Sequence, residues 1–119
     1  MATVIEVTKF LREFKQTIDN SGLYFIPRKV NRDGIAKLGL MVGDVKDVIG
    51  SLTYQNYSSG PESDQDGSAG EIWIFGTIIN SQNVYIKIKL DKGAAKCLSL
   101  HPADFRVKQP YNFGGTSCP

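Results

Sequence analysis

Apolar and polar residues alternate most strictly between Asn83 and Leu90. Val84, Ile86, Ile88 and Leu90 fall on one side, Tyr85, Lys87 and Lys89 on the other. Successive strand side chains point to opposite faces, so this pattern predicts a strand with one buried and one wetter surface. Two further strands flank it. Glu71 to Ile79 is rich in aromatic and β-branched residues, and Ala94 to His101 places Leu98 and Leu100 on its apolar side, Cys97, Ser99 and His101 on its polar side. Asn80 and Ser81 mark the first turn and Asp91-Lys92-Gly93 the second, residue types suited to tight hairpins. A first loop with an even number of residues keeps Trp73 and Phe75 on the side of Ile86 and Ile88; an odd number reverses them.

Ahead of this hairpin region the period changes to that of a helix. Thr3 and Glu6 have the spacing of a capping box, and Val7, Phe10, Leu11, Phe14 and Ile18 recur on one face before Asn20-Ser21-Gly22 ends the segment. Leu23 to Ile26 is β-prone, with Pro27 restricting it to an edge. A short helix is expected from an Asn31 cap to Leu38, stopped by Gly39. Another is expected from an Asp44 cap, its core stripe formed by Val45, Val48, Ile49 and Leu52. Tyr54 to Gly70 reads as a long polar loop, Phe105 to Lys108 as edge pairing or a surface wrap, and residues 109–119 as a poorly ordered tail. The expectation is one α+β domain over residues 1–108, a small antiparallel sheet packed against two or three helices.

Composition narrows the class. With 119 residues, 41% hydrophobic and 22% charged, the chain has enough apolar surface for one core. A net charge of +2 is too small to announce nucleic acid, so electrostatics must rest on local clusters. No apolar run approaches the ~20 residues that span a bilayer, and the first residues lack a signal-peptide pattern. Cys97 and Cys118 have neither metal-ligand nor disulfide-framework spacing. These features predict a reduced, cytoplasmic protein without a membrane span.

The candidate chemistry lies on the polar side of the hairpins. Opposed residues on neighbouring strands sit ~5 Å apart, so Tyr85, Lys87, Lys89, Ser99 and His101 can converge on one anion. A serine-histidine-acid triad is disfavoured, because Ser99 is too near His101 on the same strand. A single histidine and two distant cysteines do not make a zinc set, and Asp64-Gln65-Asp66-Gly67 lacks the later ligands of a calcium loop. No glycine-rich phosphate loop precedes a helix. No metal or other cofactor is expected. Cleavage of an RNA phosphodiester by protein side chains survives this elimination, with cations for the phosphate and a histidine for proton transfer. Arg28 and Lys29, with Arg32 behind them, are further candidates for RNA backbone contacts.

Leu38-Gly39-Leu40, the short helix into Ser51-Leu52, the Trp73 strand, Val84-Tyr85-Ile86-Lys87-Ile88 and Leu98-Ser99-Leu100-His101 occur in this order. Together they resemble the motility quorum-sensing regulator (MqsR) family of toxins, in the wider RelE-like group of messenger-RNA endonucleases. The resemblance implies a compact α+β ribonuclease domain neutralised by a cognate antitoxin protein. It also implies that Tyr85 matches a catalytic tyrosine and that His101 stands where a catalytic lysine ends the last strand. The chain departs from the pattern at Ile74, where a glutamine would follow Trp73, and at Ser58, a lysine position near Tyr57. The expected function is a metal-independent mRNA interferase of a toxin-antitoxin system. Its catalytic residues would be His101, Tyr85 and Lys87, and its RNA contacts Lys89, Arg28, Lys29 and Ser99. The alternative is a non-catalytic module that binds a protein through the same sheet face.

Overall fold

Five strands form one mixed sheet in the order β1-β5-β4-β3-β2, and three α-helices accompany it among the described residues. The computed structural model describes residues 1–65, 67 and 70–112. In chain order the elements are α1 (Val4–Ser21), β1 (Leu23–Phe25), α2 (Lys29–Lys37), α3 (Val42–Gly50), β2 (Tyr57–Ser63), β3 (Glu71–Ile79), β4 (Gln82–Asp91) and β5 (Ala94–Pro102). The sheet is not purely antiparallel as expected, because β1 lies parallel to β5, pairing Leu23 with Ala95 and Phe25 with Cys97. That pairing requires a crossover, which local turn signals do not reveal. No helix among the described residues is long and apolar enough to cross a membrane.

The predicted stripe of α1 is its buried face: Val7, Phe10, Leu11, Phe14 and Ile18 all lie in the core. Thr3 and Glu6 close the capping box reciprocally, the Thr3 amide donating to Glu6 Oε1 at 2.8 Å and the Glu6 amide to Thr3 Oγ1 at 3.1 Å. α1 packs along β5, and Phe10 reaches across to stack on Trp73 of β3 with ring centroids 4.3 Å apart. The other helices begin earlier than their expected caps. α2 starts after Arg28, and α3 after Met41, whose amide donates to Asp44 Oδ2 at 2.8 Å from within the first turn.

The hairpins have the expected register. Asn80 and Ser81 take φ values of 49° and 65°, so the first loop has two residues, and Trp73 faces Ile88 while Phe75 faces Ile86. Lys92 and Gly93, at φ 51° and 82°, make the second turn. Two segments differ from expectation. Tyr57–Ser63 is an edge strand on β3, not loop, although two register shifts interrupt its pairing. Gln109 to Asn112, assigned to the tail, pack on the domain: Gln109 Nε2 donates to Gly76 O at 2.6 Å and Tyr111 stacks on Tyr57. Val107 sits over Gly76, where an added Cβ would approach its Cβ to 2.6 Å, so 105–108 wrap the surface. The remainder of the expected tail, 113–119, lies outside the described residues, as does Asp66 of the calcium-like string.

Candidate active site

β4 and β5 place the candidate chemistry. Their register opposes Tyr85 to His101, Ile86 to Leu100 and Lys87 to Ser99, and then slips by one residue before Ile88 meets Cys97. The extra residue is Leu98. This bulge turns Cys97 into the core, where it is fully buried, instead of onto the polar face where strict alternation put it. Burial pushes the Cys97 thiol up to about 12, making it a poor nucleophile at neutral pH. On the face opposite the helix-packed core, Tyr85, Lys87, Ser99 and His101 come together as expected.

Tyr85 and His101 stack, ring centroids 5.5 Å apart at 28°, without a hydrogen bond between them. His101 Nδ1 lies 2.9 Å from Pro102 O. A carbonyl oxygen only accepts, so Nδ1 carries the proton of the neutral ring and Nε2 presents a lone pair. The phenol of Tyr85 is held above its ordinary pKa, first by burial and then by the negative charge of Glu62, and so stays protonated at neutral pH. Lys87 is half-buried and has no anionic partner among the described residues.

Arg28 joins this group from the start of α2. One of its terminal nitrogens donates to Leu98 O at 2.7 Å and to Ser99 Oγ at 2.9 Å. Guanidinium has five N–H donors, so donors remain for an anion. Ser99 is buried and its hydroxyl is taken up by Arg28, which makes it a support for the guanidinium.

Two expected RNA contacts are placed otherwise. Lys89 is a buried residue whose ammonium bonds Asp64 Oδ2 at 2.8 Å, the side chain being 3% exposed. Burial makes a carboxylate partner necessary for the ammonium, and the pair leaves it turned away from solvent instead of presented as an exposed cation. Lys29 is exposed but ion-paired with Asp33 at 2.6 Å, one turn along α2. It lines a cleft of about 530 Å³ with Asp33, Gly34, Lys37, His101 and Asp104. This cleft opens beside the histidine. Among the described residues no group of three or more His, Cys, Asp or Glu is arranged to hold a metal ion.

Two residues that hold the site had no signal in the periodicity. Asn31, read as a cap, is buried inside α2. Its amide donates to Ile26 O at 2.9 Å and Leu98 O at 3.0 Å, while its oxygen accepts from Leu100 N at 3.3 Å. It thus replaces a strand neighbour where β1 ends, satisfying the free edge of β5 beside the bulge. Gly34 lets α2 approach His101 itself: a Cβ there would lie 2.5 Å from His101 Cβ and 2.9 Å from its Cα. A glycine within a predicted helix was a faint sign of such an approach.

Comparison with family models, with curated proteins and with solved structures gives no match to this chain.

Proposed function

We propose that this protein is an endoribonuclease that cleaves single-stranded messenger RNA with its own side chains, as the toxin of a cytoplasmic toxin-antitoxin pair. The observation that carries the reading is the stacked Tyr85–His101 pair, its imidazole held through Nδ1 at Pro102 O, beside the partly used Arg28 and beside Lys87, which has no anionic partner among the described residues. These groups match the needs of RNA transesterification. His101 Nε2 removes the proton of the 2′-hydroxyl, whose oxygen forms a bond to the adjacent phosphorus. Lys87 and Arg28 balance the charge that grows on the phosphorane. The bond from phosphorus to the 5′-oxygen breaks, and that oxygen takes a proton from Tyr85, which is later restored from the His101 imidazolium through solvent. Intramolecular attack needs no recruited water, and each positioned acid, base or cation typically adds ~10²-fold or more.

The resemblance to MqsR-like toxins supports the same reading and adds a cognate antitoxin, which would mask Tyr85, Lys87 and His101. The expected products are a 2′,3′-cyclic phosphate and a free 5′-hydroxyl, formed equally in chelator. His101→Ala should abolish RNA cleavage and growth inhibition while leaving the melting temperature nearly unchanged. Mass spectrometry of the fragments decides the chemistry: 5′-phosphate ends, or activity that vanishes with EDTA, would refute it. If purified protein leaves RNA intact yet co-purifies with a protein bound over Tyr85 and Lys87, the face is an interaction surface instead.

A further inference from the structure

The geometry points to Tyr24 as a stacking platform for a base of single-stranded RNA, at the far end of a track that leads to His101. This inference rests on the ribonuclease reading and specifies how its substrate lies. β1 pairs Tyr24 with Lys96, and β4 pairs Lys89 with Lys96, so Tyr24 stands on the same sheet face as Tyr85 and His101. Its ring is 56% exposed, unlike the aromatic rings that face the core. The Lys96 row and the His101 row are four residues apart on β4, from Lys89 to Tyr85, about 13 Å of strand and a distance spanned by a short run of unstacked nucleotides.

The charge along that track is graded. At the Tyr24 end, Lys96 is bound to Asp91 at 3.0 Å and Lys89 to Asp64, so both ammonium groups are neutralised. Arg28 and Lys87 are the cations left for phosphate, and both flank Ser99, midway to the histidine. An exposed ring at one end, cations in the middle and the catalytic pair at the other end suit an extended strand. Its backbone would follow the cations while its bases meet rings. Double-stranded RNA presents no free base face to Tyr24.

The test separates binding from cleavage by using the His101→Ala protein and short 2′-O-methyl oligonucleotides, which cannot react. Fluorescence anisotropy should show Tyr24→Ala weakening binding roughly five- to 150-fold, the range for losing one base–aromatic stack. Tyr24→Phe, which keeps the ring, should bind within about twofold of the parent. An abasic nucleotide scanned along the oligonucleotide should reproduce the loss at one position, and there the Tyr24→Ala protein should lose nothing more. Equal binding by Tyr24→Ala, or an abasic penalty that stays the same in that variant, overturns the inference. Cleavage by the otherwise unaltered protein can still be seen in that case, so the ribonuclease reading is judged independently. Tight binding of a blunt duplex in preference to the single strand would also overturn it.

Discussion

Replacing Gly34 with Ala tests how the fold aims His101. The new methyl group would sit 2.5 Å from His101 Cβ, 2.9 Å from its Cα and 3.1 Å from Leu100 O. Carbon atoms prefer about 3.5–4 Å, so α2 and the end of β5 must separate by roughly 1 Å. No rotamer relieves the clash, because the obstacles are the backbone of β5 and the first side-chain carbon. Overpacking of this kind costs about 1–3 kcal/mol. At roughly 4 °C per kcal/mol for a domain of this size, the melting temperature should fall by ~4–12 °C. A 1 Å displacement of a catalytic group typically costs ~10² in rate, so kcat for RNA cleavage should drop by about that factor with little change in KM. Gly43→Ala in α3 is the control, since a Cβ there meets nothing within 4 Å. It should be neutral or stabilise by up to ~1 kcal/mol through helix propensity. Calorimetry and single-turnover cleavage read both quantities. A Gly34→Ala protein that melts and cleaves like the parent would show that α2 yields freely and does not position the histidine.

Further outcomes are expected from the buried groups. Lys89→Met should change RNA affinity by less than about twofold but lower stability by on the order of 3 kcal/mol or less, because Asp64 is 16% exposed and keeps some water; a loss of RNA affinity in a fully folded variant would return Lys89 to the binding face. For Cys97, the folded pKa of about 12 exceeds the unfolded value of ~8.5, so its contribution is fully present below pH ~8.5 and is lost as pH rises toward 12. Urea titrations should show stability falling by at most about 1.4 kcal/mol per pH unit from this thiol, a slope absent in Cys97→Ala. In a Cys118→Ser background, a thiol reagent should label Cys97 only after unfolding, and labelling at the rate of an exposed thiol would contradict its burial.

The hairpins, α1 and the shared face of Tyr85, Lys87, Ser99 and His101 were legible in the sequence, because local geometry governs them. Period-2 alternation assigns faces, two positive-φ residues set each turn, and a capping box with an apolar stripe needs no distant partner. The sequence also sufficed to place the imidazole of His101 beside the phenol of Tyr85, since strand register alone sets that neighbourhood. What the sequence could not carry are choices made between segments far apart in the chain. The parallel docking of β1 on β5 is one, and the edge strand Tyr57–Ser63, whose polar residues resemble a loop until β3 pairs with them, is another. The bulge at Leu98 inverts Cys97 through a single extra residue, which alternation cannot locate. Lys89 looked like its neighbour Lys87 in every local respect. Only the return of Asp64 across the sheet made one a buried ion pair while the other has no such partner among the described residues, because desolvation is decided by which surfaces meet in three dimensions.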